Sequence, residues 1–407
     1  MHCSAPALLP PSQDFCLIGE PEITELLAKI VGLLFSGAAV SQVSDQVVNM
    51  DQVAGDAHLV LCGSAWARDL TIARQNGVED RRISLLPVPV DDPWSWWEFA
   101  RQVIDNLGYD GRVVISREDF VSYLISINRA GLDAENKVQL VPNSYGLNSR
   151  DDIAESHEAV ATVISHLGDE PSRLSYGRVL FADPTVGWED YISRTFRRSQ
   201  YFDYVRFDLC TSVINGGIWL GFEIPLLMAA LPDDSIVHNI DPLGYDYLTD
   251  YVKPTVAYFA DRMISHRIAL AGHEGHVTFP VLPDGQASPQ FGMSELEAGE
   301  DQEFPCTTVD RFVEDNGFSR HGLIKFDLEA GEVETIPGML KTIAEYRPQM
   351  AISVYHYVNH MWDIPCALIA ICEDYNFYFD CYSWERWEGI LYCIPREIDT
   401  TPGRADK

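Results

Sequence analysis

Apolar side chains recur at helical spacing over residues 22–35, E-I-T-E-L-L-A-K-I-V-G-L-L-F, and predict an amphipathic helix. A first strand is expected at H58-L-V-L-C62, followed by the tight turn Gly63-Ser64, a helix, and a Gly77-Val78 handover to a strand from Arg82 to Pro87. That order is a βαβ unit. The apolar run R112-V-V-I-S116 closes another such unit, so residues ~50–145 read as a small α/β domain. A polar, turn-rich stretch from Val141 to Asp152 marks the linker, giving domains 1–150 and 151–407.

Beyond the linker the alternation is plainer. Strands are expected at Leu209–Ile214, Ser235–Ile240, His266–Leu270, Leu323–Leu328 and Met350–Tyr355. Helices are expected between them at Trp219–Leu231, across 243–263, at Glu332–Tyr346 and at Trp362–Cys372. A hairpin at 276–282, a loop at 283–305 and a closing antiparallel pair starting at Tyr375 and Gly389 complete the reading. Strands alternating with helices imply a parallel sheet covered on both faces, with ligands beyond the carboxyl ends of its strands.

Composition adds limits. The chain has 407 residues, 46% of them hydrophobic, enough for two globular domains. Its net charge of −32 is spread along the chain and repels phosphate backbones and anionic lipid, so neither nucleic acid nor a membrane is an expected partner. The N-terminus M-H-C-S-A-P-A-L-L-P-P has no basic n-region or long apolar run, which makes a cytoplasmic protein the expectation. Nine cysteines without a C-x-x-C pair argue against a disulfide framework or a zinc cluster. His266, His273, His276 and His360 show no metal-like spacing with carboxylates, and no metal is expected.

Three groups of residues carry candidate chemistry. The turn N215-G-G-I-W-L-G221 follows the second domain's first strand, where Gly217 and Gly221 allow close backbone approach to a ligand. Asp241, 20 residues after Gly221, fits an acid that binds ribose hydroxyls, the alternative being one that starts a turn before Pro242. The stretch I324-K-F-D-L-E-A-G-E-V-E334 crowds carboxylates at a strand end. Glu332 and Glu334 read as first-turn acids complementing a helix dipole. Asp327 and Glu329 are costly there unless they are hydrogen-bonded or functional. His356 ends the next strand and opens onto the same rim if the two strands are neighbours, as a general base or as a half-buried ring bonded to a carbonyl. The Trp-rich D92-P-W-S-W-W97 is either a stacking surface or a packed helix start.

The stretch from Ile324 to Glu334, G338-M-L-K, P-Q-M-A-I-S-V-Y-H from Pro348 to His356, and G389-I-L-Y-C-I-P resemble the FkbM-type S-adenosylmethionine-dependent methyltransferases. Their pattern is I-K-x-D-x-E-G-x-E, then P-x-x-x-I-x-x-Y-H, then E-x-x-L-Y. S199-Q-Y-F-D203 and T307-T-V-D-R-F also look like that family, so the likeness spans ~200–396. It implies a class I methyltransferase-like, Rossmann-like doubly wound sheet, beside a separate smaller N-terminal α/β domain. It also implies S-adenosylmethionine as donor and O-methylation of a small molecule, sugar or glycan.

By motif position Asn215, Gly217 and Gly221 would hold the donor's methionine end and Asp241 its ribose, while Asp327, Glu329 and His356 would face the methyl group and acceptor. Asn215 stands where the family has an acid, Ile218 where it has Ala, and Ala330-Gly331 inverts the usual Gly-Ala, which is expected to move the flexible position by one residue. An inactive scaffold binding a nucleotide or nucleotide-sugar is the alternative. A nicotinamide oxidoreductase is disfavoured because the turn lacks a full G-x-G-x-x-G. For the N-terminal domain the sequence allows three roles: holding the acceptor, forming a homo-oligomer, or carrying a second ligand.

Overall fold

The computed structural model describes residues 14–19, 24, 28, 39–43, 57–62, 65–79, 82–86, 130–132, 138–140, 150–181, 200–221, 223–249, 252–281, 300–382 and 388–401. Most of the expected helix over 22–35, the Gly63-Ser64 turn, the tryptophan cluster at 92–97, the strand at 112–116 and most of 283–305 lie outside the described residues. The chain forms two compact units. One comprises Met1–Ile127, Leu220–Ala230 and Leu248–Ala260; the other comprises Asn128–Trp219, Leu231–Tyr247 and Asp261–Lys407.

The first unit holds a four-stranded parallel sheet in the order Val40–Val43, Phe15–Ile18, His58–Cys62, Ile83–Leu86. The expected βαβ unit is present: Leu59 pairs with Ile83, and the helix Trp66–Gln75 connects the two strands. That helix buries Trp66, Ala67, Leu70 and Ala73, a stripe at helical spacing. Arg74 Nη1 donates to the Ala229 carbonyl at 3.0 Å, tying it to the helix Ile224–Ala230 of the same unit. The strand Phe15–Ile18 is not evident from the sequence, because four consecutive apolar residues carry no period that separates strand from helix.

In the second unit the main sheet has seven strands: β1 Ser212–Gly216, β2 Ile236–Ile240, β3 Met263–His266, β4 Leu323–Phe326, β5 Gln349–Ser353, β6 Tyr375–Cys381 and β7 Gly389–Pro395. Their order is β6-β7-β5-β4-β1-β2-β3. Strands β1 to β5 pair in parallel, and β7 lies antiparallel between β5 and β6. This is the doubly wound, Rossmann-like arrangement expected from the sequence. From β1 the chain first winds outward through β2 and β3, then returns to lay β4 and β5 on β1's other side. The strand order therefore reverses between β1 and β4, where such sheets open a crevice at their carboxyl ends.

Ile214, Ile324, Phe326, Met350, Ile352, Phe377 and Leu391 belong to one buried core with Val160, Tyr176, Val179, Met361, Ile364 and Leu368 from the helices His157–His166, Glu170–Phe181 and His360–Ile371. Each such side chain contributes roughly 1.5–3 kcal/mol by leaving water, which anchors the strands whose tips carry the site. The helix expected over Glu332–Tyr346 is interrupted by a 3-10 turn at Ile336–Met339, where Pro337 and Gly338 fall. A Cβ on Gly338 would stand 2.8 Å from the Ala271 carbonyl oxygen. Strand Gly275–Val281 pairs antiparallel with Glu300–Thr307, so part of the expected loop is a strand. Its polar start, Glu-Asp-Gln-Glu, hides it from an apolar count.

Near the C-terminus Glu397 accepts from Arg347 at 2.6 and 2.8 Å and lies 3.1 Å from His321 Nε2. The Arg347 hydrogen bonds hold its carboxyl down at about 2. A depressed folded value means that the stabilisation is present above the unfolded carboxylate range and is lost as pH falls from about 5 to about 2. Glu397 is 36% exposed, so screening limits the effect. Glu397→Gln is expected to cost about 0.5–1 kcal/mol at neutral pH. Urea unfolding at a series of pH values checks this: the gap between variant and wild type should close on acidification.

Candidate functional site

The carboxyl ends of β1, β4 and β5 converge on one acidic cluster. Register places Lys325 beside Asn215 on β1 and Ala351 on β5, and Asp327 N–H continues the ladder by donating to the Gly216 carbonyl at 3.0 Å. Gly217 has φ +73°, and a Cβ there would stand 1.7 Å from the Asp327 carbonyl oxygen. Only glycine allows the two backbones to meet this closely. Lys325 Nζ, buried, donates to the Gly217 carbonyl at 2.6 Å and sits 4.8 Å from the centre of the Tyr201 ring.

Asp327 is the hub. Its Oδ2 accepts from Tyr201 at 2.8 Å, and its Oδ1 accepts from Tyr355 at 3.0 Å and lies 3.3 Å from His356 Nε2. The same nitrogen lies 3.6 Å from Glu329 Oε2, and His356 Nδ1 lies 3.3 Å from Glu332 Oε1. Burial alone would raise the Asp327 carboxyl, but His356, Lys325 and Tyr201 outweigh it and hold the group ionised, below the usual range. For His356 burial opposes the charged ring, and Glu332, Asp327 and Glu329 override it, so its value stands well above that of an ordinary imidazole. Burial raises Glu329 and Glu388, with Asp327 adding to both. Tyr201 and Tyr355 are raised by burial and by Asp327.

The adjacency of β4 and β5 brings Asp327, Glu329 and His356 together, as their positions at strand tips suggested. Of these three, His356 is enclosed at 2% side-chain exposure, while Asp327 and Glu329 keep 23% and 30%. Asn215 is buried and donates to Asn239 Oδ1 at 2.9 Å, and Asn239 donates in turn to the Tyr245 hydroxyl at 2.8 Å. Asp241 steadies the glycine turn: Oδ2 accepts from Ile218 and Trp219 N–H at 2.9 and 3.3 Å, and Oδ1 accepts from Leu243 N–H at 2.8 Å. Ile218 is buried. Gly221 falls in the first unit, where its φ of +74° and tight approach to Leu248 are met.

Two expectations are corrected. Glu332 does start a helix, but its side chain is wholly buried and turns back to accept the Leu328 N–H at 2.6 Å while facing His356. Glu334, by contrast, is exposed. The inverted Ala330-Gly331 does not shift the flexible position: Ala330 takes φ +83° and Gly331 an ordinary −77°. Alanine in that left-handed conformation costs about 1–2 kcal/mol. With Glu329 at φ 49°, the reversal is what folds Glu332 underneath the strand tip.

Tyr201, Tyr355, His360 and Glu388 join the site without having been singled out from the sequence. Tyr201 lies in the S-Q-Y-F-D segment and Glu388 fits the first position of E-x-x-L-Y, so both carried a signal. Gln200 donates to Glu388. His360 carried none beyond its place four residues after His356.

Residues 233–388 match the family profile described as the methyltransferase FkbM domain. A solved structure of a methyltransferase FkbM from Methylobacillus flagellatus KT is similar at 16% identity, covering 94% of this chain and 91% of that one, with a TM-score of 0.43. No curated protein matches the chain at a significant level. Among the described residues no helix is long and apolar enough to cross a membrane. The match covers β2, β3, β4, β5 and β6 together with the acidic stretch and His356, and so this part of the chain is similar to the methyltransferase FkbM domain.

Proposed function

We propose that the second unit transfers a methyl group from S-adenosylmethionine to a hydroxyl of a small molecule, sugar or glycan. The observation that carries this reading is the gathering of Asp327, Glu329 and Glu388 at the carboxyl edge, where Asp327 is held ionised and Glu329 keeps 30% side-chain exposure. Negative charge at a partly enclosed edge attracts a cationic ligand.

S-adenosylmethionine, when bound, supplies a methyl group made electrophilic by its sulfonium. The chain's own residues do the remaining work. Gly217 and the Asp241-braced turn hold the donor, and Oδ1 of Asp241 keeps one acceptor site suited to a ribose hydroxyl. Asn215 acts through its bond to Asn239, steadying β1 against β2. Tyr201, Tyr355 and His356 fix Asp327 in place, and Glu329, the more exposed carboxylate, accepts the acceptor's hydroxyl proton. His356, with carboxylates at both ring nitrogens, orients them rather than meeting the acceptor. Most of the acceleration then comes from alignment of the reacting groups.

Titration calorimetry tests the charge argument. The cationic donor should bind at least about tenfold more tightly than neutral S-adenosylhomocysteine, a difference of about 1.4 kcal/mol. Equal affinities, or a preference for a nucleotide-sugar, would favour the scaffold alternative, which has to seat phosphates against these carboxylates.

A further inference from the structure

We propose that Glu332, His356 and His360 form a site for a divalent transition-metal ion of the zinc class, set behind the acidic edge and holding His356 against Asp327. The three side chains come from separate places: the helix start after β4, the loop after β5, and the first residue of the helix His360–Ile371. One ligand atom from each lies within 4.8 Å of the others, and all three residues are buried. His356 Nδ1 and Glu332 Oε1 are 3.3 Å apart. That spacing is close to the edge of a tetrahedron with metal–ligand bonds of about 2.0–2.1 Å.

Two further observations point to a ligand. Among the described residues, Glu332 Oε2 and His360 Nδ1 are buried without a hydrogen-bond partner, and they face each other at 3.9 Å, too far to bond directly. Their residues are 0% and 3% exposed, so bulk water does not satisfy them. Buried polar atoms left in this state cost free energy, and an ion between them removes the cost. The second observation is the other ring nitrogen of His356, 3.3 Å from Asp327 Oδ1. A metal-bound imidazole characteristically places its distal N–H on a carboxylate, which fixes its tautomer and orientation. Glu332 is oriented as well, because Oε1 accepts the Leu328 N–H.

Two imidazoles and one carboxylate select zinc or a similar first-row ion over magnesium or calcium, which prefer oxygen donors. His356 binds through Nδ1 as the neutral ring, releasing any Nδ1 proton to solvent and keeping Nε2–H on Asp327. The proposal stands apart from the methyl-donor reading, since metal binding is measured with neither donor nor acceptor present.

The test is elemental analysis of the full-length protein after dialysis against zinc and removal of excess ion. Cobalt(II) serves as a visible-absorbing stand-in. The wild type should retain one zinc ion per chain and give the intense visible absorption of a tetrahedral cobalt site. His360→Gln should weaken binding by at least about 100-fold, since a direct ligand matters more than the outer carboxylates whose loss costs about 10–100-fold. Circular dichroism establishes that the variant is folded; should it not fold, the cobalt spectrum of the wild type decides alone. A wild type that holds no metal, or zinc retained equally by folded His360→Gln, overturns the site. Donor calorimetry on the same wild-type sample reports on the methyltransferase reading independently.

Discussion

Gly217→Ala is expected to destabilise the second unit by at least about 3 kcal/mol and to abolish methyl transfer. The added methyl group would stand 1.7 Å from the Asp327 carbonyl oxygen and 2.6 Å from its carbonyl carbon, both backbone atoms that no rotamer change can move. The residue also has φ +73°, which a Cβ disfavours on its own. Relief requires separating β1 from β4, and that breaks the Asp327 N–H bond to Gly216 and the Lys325 bond to Gly217. Gly275 is the control: it has φ +139°, but a methyl group there would meet nothing within 4 Å, so alanine should cost only about 1 kcal/mol. Urea midpoints of the two variants provide the comparison. A wild-type midpoint for Gly217→Ala would mean that the turn does not press on β4.

Asp327→Asn should leave the protein folded and lower the rate of methyl transfer by about 10²–10³-fold. The substitution is isosteric and keeps acceptor capacity for one of the two tyrosines, so packing is little disturbed. What it removes is the charge. Asp327 is the carboxylate that His356, Lys325 and Tyr201 jointly hold ionised, and it is partly open to the site. An amide there removes one of the carboxylates facing His356, leaving Glu329 and Glu332 near its ring, and turns an N–H₂ group toward either a tyrosine donor or the imidazole. Steady-state kinetics with a turned-over acceptor checks the rate. Wild-type turnover would show that the charge at this position is not part of the chemistry.

The strand tips were legible in the sequence because their chemistry is local. A carboxylate that ends an apolar run, as Asp327 does, and a histidine that ends the next, as His356 does, announce a rim before any pairing is known. The adjacency of β4 and β5, which that inference required, follows from the doubly wound order. Glu332 eluded the sequence reading because helix periodicity describes where a backbone goes, whereas the left-handed residues Glu329 and Ala330 decide where this side chain points. Tyr201 reaches Asp327 across 126 residues of sequence, and no spacing rule reports such a contact. His360 lacked a signal for the same reason: its partner Glu332 lies on another element.

The central claim, that the acidic edge recognises a cationic methyl donor, is tested most directly by the ratio of S-adenosylmethionine to S-adenosylhomocysteine affinity, measured by calorimetry in the wild type and in Asp327→Asn. A clear preference for the cation in the wild type, reduced by about tenfold in the variant, is the predicted result. The same ratio in both proteins, or no donor binding by folded wild type, would contradict it.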